Sequence, residues 1–90
     1  NFKRTINSVD LVLEKLREYQ GSIDIAKLNE FGKKQSVTVR RILGFLFDKA
    51  GIDSSYLHDS AKGESSNSHM TKDSKLFNAK WRLYYHKHFD

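Results

Sequence analysis

One amphipathic stretch, residues 36–52, constrains the fold of this chain more than any other part of the sequence. Its apolar side chains recur with the three- and four-residue spacing that gathers them on one face of an α-helix. They are Val39, Ile42, Leu43, Leu46, Phe47 and Ala50. Ser36 is a typical N-terminal cap, and Gly51 can end a helix in the left-handed conformation. The sequence therefore predicts a helix over residues 36–50 whose apolar face must pack against other elements.

Two earlier stretches have the same helical spacing and predict shorter helices over residues 8–20 and 24–32. The candidate caps are Asn7 or Ser8 for the first helix and Ser22 or Asp24 for the second. The second helix should bury Ile25, Leu28 and Phe31. Because each apolar stripe needs a partner, we expect the three helices to form one compact cluster.

The C-terminal third has a different pattern. Residues 58–75 are rich in serine and charge and poor in apolar side chains, which predicts a mobile polar loop. Over residues 76–86 a period of two predicts a half-buried β-strand, although a helical spacing is the alternative. The alternating side chains are Phe77, Ala79, Trp81, Leu83 and Tyr85. Such a strand needs a partner, either residues 54–58 or an edge from another domain.

These elements predict a mostly helical α+β fold in one small domain, with three helices, a loop and a strand in the order of a winged helix. Ninety residues suit a single domain. Because the chain begins with Asn rather than Met, we expect it to be a fragment of a longer protein.

Composition and motifs argue against several functional classes. The chain has no cysteine, which excludes disulfides, thiolate metal sites and thiol catalysis. It also has no glycine-rich phosphate loop, HExxH pair or nucleophile elbow, so we expect no enzyme activity, cofactor or small-molecule substrate. His86 and His88 would share one face of a strand, but two ligands do not make a metal site. No segment is long and apolar enough for a membrane span, and we expect a cytoplasmic protein with no membrane partner.

Positive charge is concentrated in two segments that contain no acid. The net charge is +5, and residues 33–41 and 75–89 each hold four lysines and arginines. Such segments suit DNA phosphates or an acidic protein surface, and a solvated face is the simpler alternative. The candidate contact residues are Lys33, Lys34, Gln35, Ser36, Thr38, Arg40, Arg41, Lys80 and Arg82.

In a winged helix, the third helix would enter the major groove of DNA. Arg40 and Arg41, which with Phe45 lie off the predicted buried stripe, would then reach bases or phosphates. Many small helical domains share this element order, so it is not specific to DNA binding.

The aromatic C-terminal segment could also stack unpaired bases beside its positive charges. On an alternating strand, however, Trp81 and Tyr85 share the face of Phe77, which is expected to be core. Tyr84 then lies on the side of Lys80 and Arg82.

Two short motifs suggest a family. Residues 39–48 read Val-Arg-Arg-Ile-Leu-Gly-Phe-Leu-Phe-Asp and precede Gly51 and Ile52, and residues 80–83 read Lys-Trp-Arg-Leu. The chain resembles the C-terminal domain of AbiEi-type antitoxins, which carries a basic pair, Leu-Gly, an aromatic, a leucine pair and an acid, then a Trp-Arg-Leu strand. In both, a variable loop separates the two motifs.

The resemblance implies an antitoxin of the type IV toxin-antitoxin class, with a separate N-terminal winged-helix domain that binds its own promoter. The implied protein partner is a nucleotidyltransferase-like toxin, which the C-terminal domain neutralises, and basic residues of this domain help to hold promoter DNA. The glycine of the first motif, Gly44, costs a helix interior about 1 kcal/mol. We therefore expect another backbone or a bulky side chain to approach it closely.

The leading hypothesis is thus a non-enzymatic regulatory module, the antitoxin domain. A stand-alone winged-helix DNA-binding domain and a helical protein-protein interaction domain are the alternatives.

Overall fold

The computed structural model describes residues 5–61, 63 and 66–90. Within them the chain forms four α-helices, three short strands and a C-terminal 3-10 turn. In chain order these are α1 (Ile6–Tyr19), α2 (Ile25–Lys33), α3 (Val37–Ala50), α4 (Ser55–Ser60), β1 (Ser68–His69), β2 (Leu76–Asn78), β3 (Leu83–Tyr85) and the turn Lys87–Phe89. The predicted mostly helical α+β class is confirmed.

The first helix is capped by Thr5 rather than by Asn7 or Ser8. The Thr5 hydroxyl accepts a hydrogen bond from the backbone N–H of Ser8, and the Ser8 hydroxyl accepts one from the backbone N–H of Thr5 at 2.9 Å. This reciprocal pair satisfies two N–H groups at the helix start. Ser8 therefore lies inside the first turn, and α1 begins two residues earlier than the sequence predicts.

The caps of the next two helices follow the prediction. Asp24 accepts from the backbone N–H of Lys27 and begins α2, and Ser36 accepts from that of Val39 and begins α3. Gly51 ends α3 in the left-handed conformation, with φ of 77°. Side-chain caps and a terminal glycine are local signals, so the sequence alone specifies these ends.

Helix α3 lies at the centre of the fold. It contacts α1, α2, α4, β1 and β3, and every residue from 41 to 47 is buried. Arg41 and Phe45 were expected off the buried stripe, and this expectation was wrong. The Phe45 ring packs at 4.9 Å from that of Tyr85, because the C-terminal sheet covers the side of α3 that the three-helix prediction left open.

The buried face of α2 also differs from the prediction. Phe31 is 57% exposed, whereas Gly32 is buried. A Cβ atom at Gly32 would lie 2.8 Å from a side-chain carbon of Leu57 and 2.9 Å from one of Leu43. The missing side chain lets α2 approach α3 and α4 closely at Gly32, so the glycine and not the adjacent Phe31 lies on the buried face.

The predicted single strand over residues 76–86 is a hairpin instead. Antiparallel strands β2 and β3 pair Leu76 with Tyr85 and Asn78 with Leu83. The intervening residues turn, with Arg82 at φ of 51° and the Asn78 side chain accepting from the backbone N–H of Trp81 at 3.0 Å. The alternation does not continue through the turn. Phe77 was expected on the core face with Trp81 and Tyr85, and this expectation was wrong, because the turn places Phe77 on the outer face, where it is 44% exposed and packs on the ring of Tyr84.

The partner of this hairpin is also different from the one expected. Strand β1 runs parallel to β3 and pairs Ser68 with Leu83, which gives the strand order β1-β3-β2 in the described sheet. Residues 54–58 lie largely in α4 and pair with no described strand. The predicted loop over residues 58–75 thus contains the end of α4 and strand β1, while its residues 62, 64 and 65 lie outside the described part.

No helix in the described ranges combines the length and the apolar content that crossing a lipid bilayer requires.

Candidate partner-binding site

The two motifs that carry the resemblance meet where the hairpin turn packs on α3. A Cβ atom at Gly44 would collide with three ring carbons of Trp81, so the indole lies directly against the helix backbone. Trp81 is 1% exposed. The expected close approach to Gly44 is therefore confirmed, and the approaching group is an indole ring. We call the group Gly44, Asp48, Ser54, Lys80 and Trp81 the Trp81 junction.

Asp48 joins the polar groups of the Trp81 junction. Its carboxylate accepts hydrogen bonds from the indole N–H of Trp81 at 2.8 Å and from the hydroxyl of Ser54 at 2.5 Å. The Lys80 ammonium lies 2.9 Å from the same carboxylate. Partial burial raises the pKa of Asp48, but these three hydrogen bonds and the lysine charge outweigh burial and lower it below its ordinary value.

His58 of α4 packs on the other side of the hairpin turn. Its ring lies edge-on to Trp81, with centroids 5.2 Å apart, and its Nε2 atom is 3.1 Å from the carbonyl oxygen of Lys80. A carbonyl only accepts hydrogen bonds, so Nε2 carries a hydrogen. This bond fixes the backbone of Lys80 and aligns the turn with α4.

A cleft of about 200 Å³ opens beside the Trp81 junction. Its lining comes from α3, α4, the segment before β1 and the hairpin turn. The lining residues are Arg41, His58, Ala61, Gly63, Lys80, Trp81 and Arg82. Two basic segments that lie more than thirty residues apart in sequence thus contribute to one basic cleft.

Arg41 forms the floor of the basic cleft. It is 2% exposed, and its Nη1 atom donates to the carbonyl oxygen of Ser66 at 2.6 Å and to the hydroxyl of Ser68 at 2.9 Å. The Thr38 hydroxyl donates to the same Ser68 oxygen at 3.1 Å. Arg41 and Thr38 therefore attach the segment before β1 to α3.

Arg40 also has a structural role. Its Nε atom donates to the carbonyl oxygen of Gln35 at 3.1 Å, and its Nη1 atom donates to that of Ser60 at 2.6 Å. These bonds connect the start of α3 with the end of α4. The Gln35 side chain itself donates to the carbonyl oxygen of Phe31 at 3.3 Å, and Ser36 caps α3.

The remaining predicted contact residues are exposed. Lys80 and Arg82 lie at the rim of the basic cleft, and Arg82 Nε donates to the Asn67 side chain at 3.1 Å. Lys33 and Lys34 lie at the end of α2 and do not line the cleft.

Sequence reasoning missed three parts of this site. Asp48 was recognised as a motif position, but its bond to the indole depends on a contact between residues 33 positions apart. His58 and Asn67 fell in the predicted loop, where no periodic pattern assigns them a neighbour. The signal that the sequence offered was the pair Gly44 and Asp48, four residues apart on one helix, together with the distant Trp81.

Comparison of the chain with protein-family models, with curated proteins and with solved structures gave no match.

The chemistry of the site is that of binding. Lys80 and Arg82 present cationic donors at the rim of the basic cleft, and Trp81 supplies an aromatic wall. Carboxylates and phosphates suit such donors. Among residues 5–61, 63 and 66–90 no group of three or more metal-ligating side chains is gathered.

Proposed function

We propose that this chain is a non-enzymatic antitoxin domain that binds and neutralises a nucleotidyltransferase-like toxin in the cytoplasm. The observation that carries the proposal is the packing of Trp81 on Gly44 with the bond from its indole to Asp48. Each residue belongs to one of the two motifs of the resemblance. Their union in a single contact supports the view that the two motifs form one structural unit.

The basic cleft beside this unit supplies the binding surface. Lys80 and Arg82 are exposed at its rim, where Lys80 also pairs with Asp48 and Arg82 donates to Asn67. Arg41 is buried beneath the rim, and Arg40 is only partly exposed and donates to backbone carbonyls away from it. The rim residues are therefore the contacts that we assign to an acidic region of the toxin. Such contacts give orientation and speed of association more than raw affinity.

The stand-alone winged-helix hypothesis receives less support. A recognition helix must place an exposed face in the major groove. Residues 41–47 of α3 are buried on all sides, so this half of the helix has no face to offer DNA. Thr38, Arg40 and Arg41, which were predicted to reach the groove, all make hydrogen bonds within the domain.

The proposal is tested by co-purifying the chain with the product of the neighbouring reading frame, which the proposal predicts to be a nucleotidyltransferase-like protein. We expect a stable complex that Arg82→Glu weakens about tenfold, because a repulsive charge then lies at the cleft rim. Lys15→Glu, on the exposed surface of α1, is the matched control and should bind within about twofold of the wild type. Absence of a complex, or equal binding by both variants, would contradict the proposal.

A growth assay gives the second measurement. Cells that express the toxin should survive with the wild-type chain and with Lys15→Glu, and should grow poorly with Arg82→Glu. Arg41→Glu is not suitable for this purpose, since a carboxylate at this buried position would disrupt the fold itself.

A further inference from the structure

Three aromatic rings form a row across the outer face of the C-terminal sheet. Tyr84 of β3 is paired with His69 of β1 on one side and with Phe77 of β2 on the other. The rings of His69 and Tyr84 are stacked, with centroids 4.6 Å apart and planes 15° apart. The rings of Phe77 and Tyr84 are 4.9 Å apart and tilted by 54°. The row, which we call the aromatic row, therefore spans all three described strands.

The aromatic row is open to solvent, in contrast to the opposite face of the same strands. Leu83 is fully buried, and Tyr85 packs on Phe45 of α3. On the outer face, Phe77 is 44% exposed and His69 is also exposed. Alternation along β3 explains the division, because successive side chains point to opposite sides of a sheet.

The charges around the aromatic row are mainly positive. On one side of the row, Arg82 donates to Asn67, and these residues come directly before the parallel strands β3 and β1. The exposed Lys75 comes directly before the antiparallel strand β2 and therefore lies on the opposite side of the row. The acid on that side is Asp73, whose carboxylate lies 3.3 Å from His86 Nε2 and accepts a hydrogen bond from Thr71.

We propose that the aromatic row binds an unpaired strand of nucleic acid, with bases stacked on exposed ring surface and phosphates near Arg82 and Lys75. Aromatic side chains on a sheet face stack bases of any sequence, and adjacent lysines and arginines attract the backbone. Phe77, whose side chain is apolar and 44% exposed, is the principal stacking residue. The negative phosphates complement the positive charges that flank the row on both sides.

An unpaired strand fits this surface better than a duplex does. Bases in a duplex are stacked on one another and expose their edges in the grooves, whereas an unpaired strand can turn base faces toward side chains. The row crosses strands about 4.8 Å apart, so it has room for two or three bases. The proposal does not depend on toxin binding, because Phe77 lies outside the basic cleft.

Fluorescence anisotropy tests the proposal, with the 90-residue chain titrated into labelled oligouridylate, labelled oligothymidylate and a labelled mixed-sequence duplex. We expect the single strands to bind more tightly than the duplex, and affinity to fall as salt rises. RNA and DNA share the stacking chemistry, so preferential binding of either single strand supports the proposal.

Phe77→Ala should weaken binding of the single strand about tenfold, which is typical for loss of one stacked base. Phe77→Trp should retain it. Phe31→Ala is the matched control, since Phe31 is also an exposed phenylalanine, at 57%, but lies on α2. Emission from Trp81, the single tryptophan of the wild-type chain, reports whether Phe77→Ala and Phe31→Ala keep the fold. Far-ultraviolet circular dichroism does so for Phe77→Trp, which has two tryptophans.

Arg82→Gln tests the electrostatic part of the proposal. It should weaken binding and reduce the slope of log affinity against log salt by about one. Duplex binding as tight as single-strand binding, or unchanged affinity in Phe77→Ala with a wild-type Trp81 spectrum, would overturn the proposal.

Discussion

Phe77 and Trp81 lie four residues apart in one hairpin, yet their surroundings are opposite. Trp81 is 1% exposed and Phe77 is 44% exposed. The indole contacts the backbone of Gly44 and donates to Asp48. The Phe77 ring contacts Tyr84 on the outer face of the sheet. The hairpin therefore has one aromatic group that joins it to α3 and another that remains available to solvent.

The difference lies in the partners rather than in the aromatic residues themselves. Gly44 leaves space that a planar ring fills, and Asp48 accepts the indole N–H that burial would otherwise leave unpaired. No described helix packs over Phe77 in the same way. A buried aromatic side chain needs a complementary surface, and where none is present the ring can contact another molecule.

Alanine substitutions at these two positions test the comparison most directly. Trp81→Ala removes the buried indole and leaves Asp48 without one donor, so we expect a loss of about 3–5 kcal/mol in the free energy of unfolding. Phe77→Ala removes an exposed ring and should cost less than about 1 kcal/mol. Urea unfolding followed by circular dichroism measures both values. Similar losses in the two variants would contradict the conclusion that Trp81 stabilises the fold and that Phe77 does not.

Arg41 and Lys34 extend the comparison to basic residues. Arg41→Met removes buried charge-assisted hydrogen bonds to Ser66 and Ser68, and we expect a loss of about 2–3 kcal/mol. Lys34→Met changes an exposed side chain on α2 and should alter stability by less than about 0.5 kcal/mol. Thermal unfolding of both variants measures the difference, and an unchanged melting temperature for Arg41→Met would exclude its structural role.

Glycine substitutions examine the close approach itself. Gly44→Ala places a methyl group against the Trp81 ring, and the clash outweighs the roughly 1 kcal/mol that alanine gains in a helix. We expect a net loss of about 2 kcal/mol. Gly21→Ala is the control, because a Cβ there meets no atom within 4 Å. Equal unfolding midpoints in urea for Gly44→Ala and the wild type would show that the ring can move aside at little cost.

The smallest expected effect concerns acid stability. Because the folded state lowers the pKa of Asp48, its carboxylate stabilises the fold above the unfolded pKa of about 3.9, and this contribution disappears as pH falls through the folded pKa. Asp48→Asn should be less stable than the wild type at neutral pH and should approach it in strong acid. Unfolding measured from neutral to acidic pH tests this, with the exposed Glu14→Gln as control. If the difference in unfolding free energy between Asp48→Asn and the wild type stays constant with pH, the pKa of Asp48 is not lowered in the folded state.

Local signals in the sequence determined helices α2 and α3, whereas the start of α1 was placed two residues late and α4 was not predicted. The serine and aspartate caps, the apolar spacing and Gly51 predicted α2 and α3 to within one residue at each end. Gly44 also predicted that a bulky group would come close. These features depend on residues within a few positions of one another, so a single sequence contains them.

The tertiary structure alone decided what each side chain does. Trp81 rather than Phe77 fills the space at Gly44 because the turn at Arg82 brings it there, and Arg41 is buried because β1 passes over α3. The parallel pairing of β1 with β3 assembles the aromatic row from three separate segments. Contacts between residues so far apart depend on how the whole chain packs, and periodicity within one segment does not contain that information.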